Sequence, residues 1–185
     1  MDQSVLISIR PEWCELIASG EKTIEVRKTR PKLETPFKCY IYCTVETAGY
    51  DALWVLDAPT REKYSFMAVS AYLENPKGAN KGNGKVIGEF TCERIVPITY
   101  DGGRLWCPTN AAFSPATCLS QAEIIAYIGD KGRCYGWHIS NLRIYDTPRD
   151  LGEFIGLRTM KNGFELRELD HPPQSWCYVL EDYHA

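Results

Sequence analysis

Between Ser8 and Pro31 the hydrophobic period of the chain changes once, from 3.6 residues to two. Arg10-Pro11 suits a helix start, because proline's fixed φ and missing N–H cost nothing in a first turn. Trp13, Leu16, Ile17 and Gly20 then follow helical spacing, and Gly20 can stop the helix in a left-handed conformation. From Thr23 the residues alternate, with Ile24 and Val26 on one side and Thr23, Glu25 and Arg27 on the other. A strand–helix–strand unit of this kind leaves Lys22, Glu25 and Arg27, three charges of both signs, within six residues.

The four residues Gly20, Lys22, Glu25 and Arg27 form the pattern G-x-K-x-x-E-x-R, in which the chain resembles the ASCH domain family, a branch of the PUA-like fold. Two later stretches, Gly136-Trp137-His138-Ile139-Ser140 and Pro172 to Val179, look like the versions carried by phages and other mobile elements. The resemblance runs from about Val5 to Val179, with extra material in the middle. It implies a small barrel and a ligand of RNA or modified-nucleotide type. Some small ASCH proteins are amidohydrolases that deacylate a modified cytidine with a lysine of this motif, a threonine three positions on and a remote glutamate. Lys22 matches the lysine, Glu25 replaces the threonine, and Glu74 and Glu123 are guesses at the glutamate. Other members look like ribonucleases or plain RNA binders.

A chain of 185 residues is long enough to bury a real core and is most simply a single domain, 1–185. No apolar run reaches the roughly 18 residues that cross a bilayer, and the N-terminus lacks a signal pattern, so a cytoplasmic protein without a membrane partner is expected. The eight cysteines then read as reduced thiols. Cys39 and Cys43, on one predicted strand, would lie roughly 13 Å apart, too far to share a zinc ion. Neither a metal nor a cofactor motif is present, and no phosphate-cradling glycine loop has the right context. The net charge of −3 excludes a strongly basic polyanion binder. Between Lys22 and Lys38, however, six bases face only Glu25 and Glu34.

The remaining elements are read from period and punctuation. Phe37 to Val45 is a central strand. Residues 46–85 are an insertion between the third and fourth strands, with a helix within 60–74 and a flexible loop over 75–85. Val86 to Tyr100 is a long strand in which Gly88 and Pro97 mark a bulge and an edge or end. Ser120-Gln121-Ala122-Glu123 is a capping box for a helix to about Ile128. Tyr135 to Tyr145 alternates, Pro148 to Phe154 forms a turn, and Trp176 to Leu180 is the last strand. Strands that mostly follow one another favour an α+β fold with a mixed or antiparallel sheet, closed as a small PUA-like β-barrel flanked by short helices.

The candidate site is a cleft between the first helix and the barrel. Arg10, Lys22, Arg27, Lys28 and Arg30 supply cations for phosphate, Glu25 orients Arg27 or reads a base edge, and Trp13 stacks. Tyr135, Trp137 and Trp176 are further stacking candidates, whereas Trp54 and Trp106 read as core or insertion packing. For an enzyme on the same cleft, Lys22, Glu25 and His138 are the catalytic candidates, with His138 a base at a ribose hydroxyl. A third reading is an accessory protein whose partner is another protein, bound through 46–85 and the loop 107–118. Oligomeric state is not legible.

Overall fold

The computed structural model describes residues 3–44, 84–109, 115–160 and 163–180. The expected helix within 60–74, nearly all of the insertion, Glu74, Trp54 and His184 lie outside them. The described strands are β1 (Gln3–Ile9), β2 (Ile24–Arg27), β3 (Phe37–Cys43), β4 (Lys85–Tyr100), β5 (Leu105–Trp106), β6 (Arg133–Arg149), β7 (Ile155–Met160), β8 (Gly163–Glu168) and β9 (Trp176–Leu180). Two short helices accompany them, α1 (Pro11–Ala18) and α2 (Gln121–Ile128). The fold is α+β with a mixed sheet: β1 runs parallel to β3 and antiparallel to β9.

The hydrogen-bonded order is β2-β6-β4-β3-β1-β9-β7-β8, with β5 beside β4. That order has two ends, so among the described residues the sheet stays open where a closed barrel was expected. By its contacts the chain divides into two compact units. The first comprises Met1–Glu15, Lys38–Phe90 and Arg143–Ala185, and the second Leu16–Phe37 and Thr91–Leu142.

In the first unit β1 is central and every residue from Ser4 to Ile9 is buried. Leu6, Tyr40, Tyr42, Val86, Phe154, Leu169 and Val179 form one core cluster. Gly88 is required by close approach, since a Cβ there would lie 2.4 Å from the Arg143 carbonyl oxygen. The Pro148–Phe154 turn resolves as a 3-10 turn at Leu151–Glu153, in which Glu153 caps the Asp150 amide. The hairpin β7–β8 follows it, in a segment for which no strand was expected.

In the second unit β2 pairs antiparallel with β6. Ile24, Val26, Val96, Ile98, Leu105, Cys107, Ile124, Ile128 and Cys134 form its core. The capping box of α2 is present as expected: Ser120 accepts from the Glu123 amide while the Glu123 carboxylate takes the Ser120 amide at 2.8 Å. Gly129 ends the helix. Trp137 is fully buried with its ring edge-on to Phe37, 6.0 Å between centroids, so it is core and has no face to offer a base. Trp106, expected as packing, is 52% exposed.

Candidate nucleic-acid interface

Gly20 has φ 81° and its N–H donates to the Ile17 carbonyl, which ends α1 as the glycine stop requires. The Lys22 amide then returns to the Leu16 carbonyl at 2.8 Å. Thr23 is held on two sides, donating to Ala116 and accepting from Ile139, both at 2.9 Å. These bonds fix the backbone just before β2 and aim Lys22 inward.

The Lys22 side chain is 2% exposed, and its Nζ donates to the Thr117 carbonyl at 2.6 Å and lies 3.4 Å from Glu25 Oε2. Glu25 is 6% exposed, and its Oε1 is 2.9 Å from Arg27 Nε. The three charges therefore meet as a buried cation–anion–cation chain. Such a chain holds together because each charge taken from water gains a partner; removing one partner strands the others in a low dielectric.

Register places Glu25 beside Trp137 and Arg27 beside Tyr135 on one face of the β2–β6 ladder. Arg30 stacks over the Tyr135 ring at 6.0 Å, and Lys28 Nζ lies 5.0 Å from the Tyr127 ring centroid. Tyr127 comes from α2, and its hydroxyl takes the Lys28 amide. Its pKa is raised, chiefly by burial, with Arg27 pulling the other way and Glu25 pushing with it. Lys28 and Arg30 are exposed, and Arg27 is partly so. The outer end of β2 is thus a run of cations laid against two tyrosine rings.

The other candidates are distributed differently. His138 pairs with Ile24, on the opposite face of the ladder from Glu25 and Arg27. Its Nε2 is buried and makes no hydrogen bond to another described residue, and burial, with Arg94 nearby, lowers its pKa. Arg10 is exposed at the start of α1, 4.0 Å from Glu12, and its carbonyl accepts from the Trp13 and Cys14 amides. Trp13 is half-buried. Glu123 is committed to capping α2. Among the described residues no cluster of histidine, cysteine or acidic side chains suits a metal ion.

A concavity that sequence reasoning missed lies in the first unit. It has a volume of about 500 Å³ and is lined by Lys38, Tyr40, Glu89, Arg143, Tyr145 and Arg149, among others. The Tyr145 hydroxyl donates to Glu89 Oε2 at 2.7 Å, and its pKa is raised by burial and by that bond. Arg143 stacks on the Tyr145 ring at 5.9 Å. The only sequence signal for it was the alternation of Arg143 and Tyr145 in β6, which names a face but not a hollow.

No curated protein sequence matches the chain. Among solved structures, the crystal structure of ASCH from Zymomonas mobilis aligns with TM-score 0.49 at 18% identity, covering 97% of this chain and 88% of that one. Two single-substitution variants of the same protein each align with TM-score 0.48 at 18% identity, covering 97% of this chain and 91% and 89% of theirs. Residues 7–48 match the model of the ASCH domain, a stretch that carries the last three residues of β1 and all of α1, β2 and β3.

Proposed function

We propose that the protein binds RNA or a modified nucleotide through the outer end of β2. Arg27, Lys28 and Arg30 contact phosphate, and the rings of Tyr127 and Tyr135 present flat surfaces for unpaired bases. Lys22 and Glu25 act behind them, holding the Arg27 guanidinium in one orientation. The observation that carries this reading is the buried Lys22–Glu25–Arg27 chain continuing directly into two exposed cations, each set against a tyrosine. Structural salt bridges have no need of that continuation. The ASCH match over residues 7–48 covers this whole segment and is consistent with it.

Binding of unstructured single-stranded RNA, measured against salt, tests the proposal. The double variant Lys28→Ala, Arg30→Ala is expected to weaken binding and to flatten the salt slope by roughly one to two. An unchanged slope removes these residues from the phosphate path. Acylated cytidine incubated with the same protein tells an amidohydrolase from a binding module, through release of free cytidine.

The hollow in the first unit supports a second reading, a single nucleotide seated against Tyr145 and Arg143. Its volume of about 500 Å³ lies within the range of small-ligand sites. Arg143→Glu separates the two, weakening mononucleotide binding while leaving binding of long RNA unchanged.

A further inference from the structure

Strand β8 stands at one end of the strand order, and all six of its residues are exposed. Phe164 is 66% and Leu166 47% exposed, large values for apolar side chains. An edge strand offers a row of unpaired N–H and C=O groups, and natural edges are blunted by charged side chains, proline or a bulge. This strand, Gly163-Phe-Glu-Leu-Arg-Glu168, has no proline and no bulge, its register with β7 is unbroken from Glu168 to Gly163, and its charges are of both signs, so they repel a second copy only in some registers.

Its charges are answered unequally across the hairpin: Glu165 lies opposite Arg158 in β7. Glu165, Arg167 and Glu168 form no ion pair with another described residue. Arg167 lies opposite Gly156 in β7, which has no side chain to answer it. The free edge beside Arg167 is therefore open to a carboxylate from a second strand.

We propose that β8 is a homodimer interface, pairing antiparallel with β8 of a second copy of this chain about a two-fold axis through Leu166. A two-fold axis normal to the sheet keeps each face on its own side, so only residues of equal parity oppose one another. Centring the axis on Glu165 sets two carboxylates face to face, and centring it on Arg167 sets two guanidinium groups face to face. Centring it on Leu166 sets Glu165 against Arg167 twice and Leu166 against itself. Phe164 then lies diagonal to the second Leu166, extending an apolar strip that Leu157 continues on β7. Phe164 faces Glu168 of the second copy directly, so the self-complementarity of this register rests on the two Glu165–Arg167 pairs and the central leucines.

Sedimentation of the whole chain tests the register as well as the association. The wild type is expected to dimerise with rising concentration. Glu165→Arg and Arg167→Glu each turn two attractive contacts into repulsive ones and are expected to weaken association about ten- to a hundredfold. An equimolar mixture of those two variants is expected to associate again, since each then supplies what the other lacks. The double variant carrying both substitutions is expected to self-associate like the wild type. Circular dichroism reports whether each variant stays folded. A wild type that remains monomeric overturns the proposal, as does a dimer indifferent to either reversal, or a mixture that fails to associate. The RNA reading is untouched by any of these outcomes.

Discussion

The ammonium of Lys22 donates to the carbonyl oxygen of Thr117, 95 residues further along the chain, at 2.6 Å. This bond ties the start of β2 to the turn before α2, and it completes the buried chain that runs on to Glu25 and Arg27. It also satisfies a carbonyl of a residue that is itself fully buried.

Lys22→Ala removes one partner from that chain, and with it the bond to the Thr117 carbonyl and the contact with the Glu25 carboxylate. The cost expected from breaking a buried pair is about 3–5 kcal/mol. Denaturant unfolding followed by tryptophan fluorescence measures it. A loss below about 1 kcal/mol would be the value of a solvated surface pair and would contradict the burial.

Gly88→Ala drives a methyl group to 2.4 Å from the Arg143 carbonyl oxygen, a contact with backbone that no rotamer relieves. The expected destabilisation is about 1–3 kcal/mol or more, read from the denaturant midpoint. Gly103→Ala is the control, since its added carbon meets nothing within 4 Å. It should leave the midpoint nearly unchanged.

His138 gives the fold an acid-sensitive element. Burial first, and Arg94 second, hold its pKa below the ordinary 6.5. The unfolded chain then takes up the proton at higher pH than the folded chain, so acid favours unfolding. This contribution is intact above about 6.5 and is lost as pH falls through the lower, folded value. Stability measured from pH 5 to 7 should rise less steeply in His138→Asn than in the wild type.

The thiols of Cys92 and Cys134 are pushed up to about 12, and that of Cys177 to about 11, in each case first by burial. At pH 8 almost none of any of them is thiolate, the form that reacts. Native alkylation followed by peptide mass spectrometry should find these three unmodified, and denaturant should expose all of them. Labelling of Cys134 in the folded protein would show that the core of the second unit opens readily.

Local chemistry was readable in the sequence wherever a short stretch decides its own conformation. The glycine stop at Gly20, the capping box at Ser120 and Glu123, and the last strand at Trp176–Leu180 needed only their own residues. The approach of Lys22, Glu25 and Arg27 was legible for the same reason, but their burial was not. It depends on Thr117 and the turn around it, which no spacing near Lys22 announces. Trp137 shows a related difficulty. Alternation separates its face from that of His138, yet that one face is buried at Trp137 and partly open at Tyr135, so period alone could not say which ring was free. The hairpin β7–β8 escaped notice because its outer strand is wholly exposed and carries no buried stripe to set a period.

The partners of β1 have a consequence for biosynthesis. Its residues Gln3 to Ile7 pair with Leu180 to Trp176 on one side, while Val5 to Ile9 pair with β3 on the other. β1 must wait for β9, a strand far along the chain, before its second edge is filled. Folding of this region is therefore completed only after β9 has been made, and until then the emerging polypeptide carries a bare, strongly apolar ribbon that invites a chaperone.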